Sequence, residues 1–341
     1  MFDITKTVRA NILNLEPYSS ARDEFEGSEG IFLDANENPF GDLNRYPDPF
    51  QKTLKEKLSE VKSIPAENIF LGNGSDEIID LCFRVFCEPG KDKALTFEPT
   101  YGMYEVSAAI NNVTLTKVPL DENFQIDTEA ANPLLADKNL KLIFICSPNN
   151  PTGNSIKAVE YILQNFSGIV VVDEAYIDFA DSDSISGKLD MHPNLIVLQT
   201  LSKAWGLAAV RLGIAYAGKD IIKYLNKVKP PYNISTLNQS AALTALQNIQ
   251  TFNSRRDIIL DEKDKLLTEL QKLNFVLKVY PSETNFFLVE VTDADAIYNQ
   301  LIVGKIIIRN RNKIVKNCLR ITIGSPAENE ALLGELKNIT L

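Results

Sequence analysis

The sequence holds one histidine, His192, among 341 residues. A Ser–His–Asp triad needs an imidazole beside its nucleophile, and a histidine metal cluster needs several. His192 sits in DMHPNL and reads as a surface turn residue, so any general base is a lysine, a carboxylate or a tyrosine, and no metal is expected. Cysteines are few and scattered: Cys82, Cys87, Cys146 and Cys318, with no CxxC pair. That argues against a disulfide frame or a thiolate zinc site and for reduced core thiols. No apolar run reaches the roughly 18 residues of a membrane span. The opening MFDITKTVRANIL has early charges in place of an apolar signal core. The expectation is a cytoplasmic protein without a membrane partner. A formal net charge of −10 disfavours nucleic acid as a partner.

The length suits roughly two domains, and 45 % apolar content allows each a core. Short apolar runs at 68–72, 93–97, 142–147, 169–173, 195–200 and 213–217 read as strands. Runs such as LIFICS and IVVVD are continuously apolar, as in a parallel sheet buried on both faces. Helix patterns lie between them at 49–62, 75–86, 101–110 and 156–164. The alternation predicts an α/β fold with an open, mainly parallel sheet and a ligand site at the strand C-termini. From 238 to 273 the chain has no Pro or Gly and reads as one long helix. Strand-like runs at 285–291, 305–309 and 319–323 follow, with helices at 294–301 and 328–336. The expected organisation is an N-terminal arm over 1–40 packed on the small domain or a partner subunit, a large domain over 41–237, and a linking helix with a smaller α/β domain over 238–341.

Four segments each end an expected strand: LGNGSDE at 71–77, SPNNPTG at 147–153, VVVDEAY at 170–176 and TLSKAWGLAAVRLG at 200–213. Singly they are ordinary, a turn, a cap or a surface lysine. Together they match what pyridoxal 5′-phosphate demands: an amine for its aldehyde, an anion for its ring nitrogen, donors for its phenolic oxygen, and cations with N–H groups for its phosphate. Lys203 offers the amine and Asp173 the anion. Asn150 and Tyr176 offer donors to the phenolic oxygen. Gly74-Ser75-Asp76 opens a helix, whose N–H groups and dipole favour a dianion; Thr200, Ser202 and Arg211 add hydroxyls and a bidentate charge. A dinucleotide-binding reading of LGNGSDE fails, because the third glycine of GxGxxG is Glu77.

These segments, with NLEPYSSAR at 14–22, LDANENP at 33–39, RYPDP at 45–49, PTYGMY at 99–104, SETNFF at 282–287 and CLRITIG at 318–324, resemble fold-type I, class I/II aminotransferases over essentially the whole chain. Within that superfamily the chain is most similar to the histidinol-phosphate aminotransferase branch. The resemblance implies that Lys203 is the Schiff-base lysine and proton shuttle, that Asp173 pairs with the pyridinium nitrogen, and that Tyr101 stacks on the ring. It places Ser75, Asp76, Ser202 and Arg211 around the phosphate. It makes Tyr46 the residue that reaches the cofactor of a neighbouring subunit, hence a homodimer with shared active sites. It gives Arg320, helped by Arg309, the substrate's anionic group, and sets Tyr18 and Asn36 at the substrate entrance. Trp205, beside Lys203, departs from the smaller aromatic of the family, and Arg311 reads as solvated.

The implied activity is transamination of L-histidinol phosphate with 2-oxoglutarate, giving imidazole acetol phosphate and glutamate, a step of histidine biosynthesis. An aromatic-amino-acid aminotransferase or a threonine-phosphate decarboxylase would keep the same cofactor residues. A non-catalytic regulator of this fold would carry an added DNA-binding module, for which the ~40 residues before the recognised segments are too short.

Overall fold

The computed structural model describes residues 3–18 and 30–340. Seven strands form the larger sheet: β1 Ile69–Asn73, β2 Lys93–Glu98, β3 Thr114–Pro119, β4 Leu140–Cys146, β5 Ile169–Asp173, β6 Leu195–Thr200 and β7 Leu212–Ala217. Their spatial order is β1-β7-β6-β5-β4-β2-β3, parallel except for β7, which runs antiparallel to both neighbours. Around it lie α1 Ala10–Leu13, α2 Lys52–Lys62, α3 Ser75–Phe86, α4 Met103–Ile110, α5 Thr128–Leu135, α6 Val159–Asn165, α7 Lys219–Val228 and α8 Thr236–Gln247. The long helix α9 Ile249–Leu270 leads to a second, antiparallel sheet of β8 Val276–Val279, β9 Phe286–Val291, β10 Arg309–Asn310 and β11 Cys318–Thr322, covered by α10 Ala294–Val303 and α11 Pro326–Lys337.

Strand periodicity explains the continuous apolar runs. In β5, Val170 and Val172 enter one core while Ile169 and Val171 enter the other. In β4, Ile143 and Ile145 face the first core, and Leu142, Phe144 and Cys146 the second. In β6 the same split separates Leu195 and Val197 from Ile196 and Leu198. Each of these apolar positions is therefore buried, at roughly 1.5–3 kcal/mol per fully buried aliphatic side chain. The amphipathic α3 closes the second core with Ile78, Ile79, Cys82, Phe83 and Phe86. The small sheet has its own core, including Phe287, Val289, Leu319 and Ile321.

The structure departs from sequence expectation in several places. Residues 3–14 pack on the large unit, not the small one: Val8 and Ile12 join its second core, and Lys227 Nζ donates to Leu13 O at 2.9 Å. Residues 1–2 and 19–29, including the end of NLEPYSSAR, lie outside the described part. The expected helix over 238–273 is two helices meeting at Asn248, and α8 belongs to the large unit, because Ala242 and Leu246 enter its first core. The crossing to the small unit therefore comes later than 237/238. The strand expected at 305–309 shrinks to Arg309–Asn310, since Lys305 turns the chain with φ 60° and Ile307 points to solvent. His192 is buried within its turn. The edge strands β3 and β8 are additional to the expected set.

Two glycines are dictated by close approach. A Cβ on Gly213 would lie 2.3 Å from the backbone N of Ser75 and 2.4 Å from C of Gly74, and one on Gly74, whose φ is +76°, would lie 2.4 Å from an Arg211 Nη. Gly213→Ala is expected to destabilise by about 1–3 kcal/mol, as overpacking does. Gly218→Ala, where a Cβ meets nothing within 4 Å, is the neutral control. Urea denaturation midpoints check this; equal midpoints would refute the close-packing account.

Candidate active site

The C-terminal ends of β1, β4, β5 and β6 and the start of β7 share one edge of the large sheet. A cavity there is lined by Ser75, Asp76, Tyr101, Cys146, Asn150, Asp173, Ala175, Tyr176, Thr200, Ser202, Lys203 and Arg211. Of the cofactor residues expected from sequence, all but Tyr46 meet here. A larger groove, lined by Lys6, Lys138, Lys141 and His192 among others, shares no residue with this cavity and holds none of that chemistry.

One end of the cavity is built to attract an anion. Helix α3 begins at Gly74 with no side chain capping its first turn. Its free N–H groups and dipole carry partial positive charge. Arg211, held in the left-handed region at φ 54°, accepts Gly74 N–H on its carbonyl at 2.8 Å. Its guanidinium lies 3.4 Å from Asp76 Oδ2, while Tyr101 Oη donates to Asp76 Oδ1 at 3.0 Å. The Asp76 side chain thus aligns Arg211 and Tyr101. The Thr200 hydroxyl serves the turn itself: it accepts from Ser202 N–H at 3.1 Å and lies 3.0 Å from Ser202 Oγ and 3.1 Å from Leu212 O.

Asp173 ends β5 and is 2 % exposed. Tyr104 Oη donates to its Oδ2 at 2.8 Å and Ala175 N–H to its Oδ1 at 3.1 Å. Among the described residues no cation lies within ion-pair distance of it. Burial raises its pKa above the ordinary carboxylate value, against the pull of those two donors. Lys203 follows β6, its Nζ 5.5 Å from the centre of the Tyr176 ring. Burial, then the Arg320 charge, lower the Lys203 pKa. An amine and a carboxylate with shifted pKa values in one cleft mark a reactive site.

The small unit closes over this cavity. Arg320 of β11 donates from Nη1 to Asn150 Oδ1 at 2.5 Å, which leaves the Asn150 amide nitrogen as its free donor end. Its guanidinium also lies 5.1 Å from the centre of the Phe286 ring, itself edge-on to Tyr176 at 5.2 Å. Glu283 binds Ser155 through both carboxylate oxygens, at 3.3 and 3.0 Å, and its N–H donates to Gly153 O at 2.7 Å.

Arg309 pairs with Arg320 across the strands, and Arg311 N–H bonds to Cys318 O, so strand alternation puts all three guanidinium-bearing residues on one face. Arg311 is not solvated: it is half-buried, its Nε is buried without a partner, and desolvation with the Arg320 charge brings its pKa down to about 10. Arg309 is the exposed member. Among the described residues none of the three forms an ion pair. Asn36 and Tyr46 lie apart, in a cleft with Tyr232. Tyr46 is half exposed and stacks on Tyr232 at 4.4 Å, and Glu37 accepts from Tyr46 N–H and Arg45. Tyr18 is 71 % exposed and outside the cavity. Trp205 stacks on Phe252 of α9 at 4.0 Å.

The model of the family "Aminotransferase class I and II" matches residues 24–336. The chain belongs to that family. This aminotransferase is 54 % identical to the histidinol-phosphate aminotransferase of Cytophaga hutchinsonii, over 98 % of this chain and 99 % of that one. It superposes on the solved histidinol-phosphate aminotransferase of Clostridium acetobutylicum with a TM-score of 0.80 at 26 % identity, covering 87 % and 90 % of the two chains. It superposes on that of Sinorhizobium meliloti, solved in complex with pyridoxal-5′-phosphate, with a TM-score of 0.79 at 24 % identity, covering 87 % and 84 %. The fold-type I architecture expected from sequence is confirmed. No described helix is long and apolar enough to cross a membrane.

Tyr104, Cys146 and Arg311 are the site residues that sequence reasoning misses. The only signal for Tyr104 is its place in PTYGMY, one helical turn beyond Tyr101. In the cofactor-free aminotransferase, Lys203 should acylate with a midpoint below the ordinary lysine range, and Arg320→Gln should raise that midpoint by removing a repelling charge. Competitive labelling across pH, read by mass spectrometry, checks this. An ordinary midpoint that the substitution leaves in place would contradict it.

Proposed function

We propose that the protein is a pyridoxal-phosphate-dependent aminotransferase that transfers the amino group of L-histidinol phosphate to 2-oxoglutarate, in histidine biosynthesis. One observation carries the reading: a buried carboxylate without a cationic partner among the described residues and a lysine share one cavity, and Arg320 of the small sheet reaches its Asn150. The full-length similarity to histidinol-phosphate aminotransferases supports the substrate.

The donor set fits pyridoxal phosphate. Ser75, Ser202, Arg211 and the first N–H groups of α3 would hold its phosphate. Asp173 would supply the missing counter-charge to a protonated ring nitrogen, and Asn150 and Tyr176 would donate to the phenolic oxygen. When bound, the cofactor supplies an electrophilic carbon and a ring that accepts the electron pair left when a substrate C–H bond breaks. Lys203 Nζ, kept less basic by burial, is the group that takes the proton from the substrate Cα; His192 lies elsewhere. Arg320 and Arg311 would bind the substrate's anionic group. Two guanidinium groups suit a phosphate dianion, and such an anion relieves their mutual repulsion. Arg309, on the same face but exposed, would serve the entrance; Tyr18 and Asn36, expected there from sequence, lie outside this cavity. Phe286 and Tyr176 wall the cavity from water.

The active unit is a homodimer in the cytoplasm. Ile31, Leu33, Phe40, Leu43 and Leu237 are large exposed apolar residues, and Leu43 and Leu237 line the Tyr46 cleft. Such clustering marks an interaction surface. Tyr46 would cross it to the partner's cofactor phosphate.

Purified protein given histidinol phosphate and 2-oxoglutarate should form glutamate faster than with phenylalanine or threonine phosphate as donor. Absence of glutamate, or faster turnover of a rival, would remove the substrate assignment. Lys203→Ala should lose both turnover and the visible absorbance of the bound cofactor. Arg311→Gln should raise KM for histidinol phosphate about tenfold or more, as loss of a charge-assisted hydrogen bond does, and affect 2-oxoglutarate less. An unchanged KM would put Arg311 outside the substrate site. Sedimentation should show a dimer, and Tyr46→Phe should weaken cofactor binding several-fold; a fully active monomer is incompatible with shared sites.

A further inference from the structure

We propose that Tyr104 is the positioning residue for Asp173: its hydroxyl fixes the plane of the buried carboxylate and supports its negative charge opposite the ring nitrogen of bound pyridoxal phosphate. The inference rests on the cofactor assignment above and adds a residue to it.

The placement follows from strand parity. Ile169 and Val171 of β5 face the second core of the large unit, so Asp173, two residues on, faces the same side. Cys146 of β4 faces it too. Helix α4 lies over this side and brings in Tyr104, which is 0 % exposed. Its ring stacks on Phe144 at 4.9 Å and 18° and meets Tyr101 edge-on at 5.7 Å and 85°. Those contacts leave the ring no other place, and they deliver one polar atom into the core. That atom donates to Asp173 Oδ2 at 2.8 Å.

The second carboxylate oxygen is held separately, by Ala175 N–H at 3.1 Å. One donor on each oxygen defines the carboxylate plane, which neither would do alone. The energetics point the same way. Burial disfavours the charge on Asp173, and the nearby Asp76 adds to that; the Tyr104 hydroxyl is the largest influence opposing them, followed by Ala175 N–H and Lys203. The other titratable groups around it, Cys146, Tyr101 and Tyr176, have pKa values pushed upward by burial and stay neutral near pH 7. Tyr104 is driven the same way, so it remains a donor. A phenylalanine at this position would keep both ring contacts and remove the hydroxyl, with its hydrogen bond to Asp173 and its contact with the neutral Cys146 thiol.

The test is the dissociation constant of pyridoxal phosphate from the cofactor-free protein, measured by equilibrium dialysis across pH, for wild type, Tyr104→Phe, Asp173→Asn and the double variant. Tyr104→Phe should weaken binding about tenfold near neutral pH, the size expected for a hydrogen bond to a charged acceptor. Without the hydroxyl, Asp173 takes up its proton at higher pH, so affinity should start to fall at a higher pH than in wild type as the solution is acidified. In the Asp173→Asn background, Tyr104→Phe should have little further effect, because no carboxylate remains to be held. Unchanged affinity and pH dependence in Tyr104→Phe would overturn the proposal. So would an equal loss in both backgrounds, which would assign Tyr104 a packing role alone. Thermal unfolding of the four proteins separates loss of fold from loss of affinity. A wild type that binds no pyridoxal phosphate would overturn the cofactor assignment itself, and this proposal with it.

Discussion

The site depends on a charge kept where charge is expensive. Asp173 stands at the end of a strand buried on both faces and is itself almost wholly buried. Desolvation of an isolated carboxylate costs several kcal/mol, and two neutral donors offset part of that. Under the proposed function, a cation brought from outside would meet the rest. Arg211 points instead to Asp76, and Arg320 to Asn150. Among the described residues the central carboxylate is thus left without a cationic partner.

The opposite constraint governs the other wall. Three arginines share one face of the small sheet with no ion pair among the described residues; burial, then neighbouring arginine charge, lower the pKa of two of them, Arg311 (by Arg320 and Arg309) and Arg320 (by Arg309). With an unmatched anion in the cavity wall and one of these cations, Arg320, reaching its Asn150, a molecule with complementary ends is favoured. Cofactor and substrate together supply both. The small unit carries the cations and the large unit the carboxylate, so the electrostatic match exists only while the two sheets are in contact.

How legible this was from sequence varied with burial. Ile169–Asp173, Leu195–Thr200 and Ser75–Phe86 read to the residue, because strands sunk in two cores and a strongly amphipathic helix leave sharp polar ends. The edge strand β3, TLTKVP, buries only Val118 and looks like loop. The break at Asn248 is silent because no Gly or Pro announces it. Among site residues, those in strand-end turns were readable as a set, since strand C-termini converge whatever the details of packing. Arg311 required the register of β10 on β11, which sequence alone does not provide. Tyr104 looks like core, and it is core; its function lies in a hydroxyl whose target is 69 positions away.

The stacking of Trp205 on Phe252 joins the turn that holds Lys203, two residues before it, to the first turn of α9, the helix that leads into the small unit. It is also the chain's only tryptophan. The protein's tryptophan fluorescence therefore comes from a single buried indole at the joint between the Lys203 turn and the connecting helix, and movement of the helix is optically visible two residues from that lysine, without any introduced label.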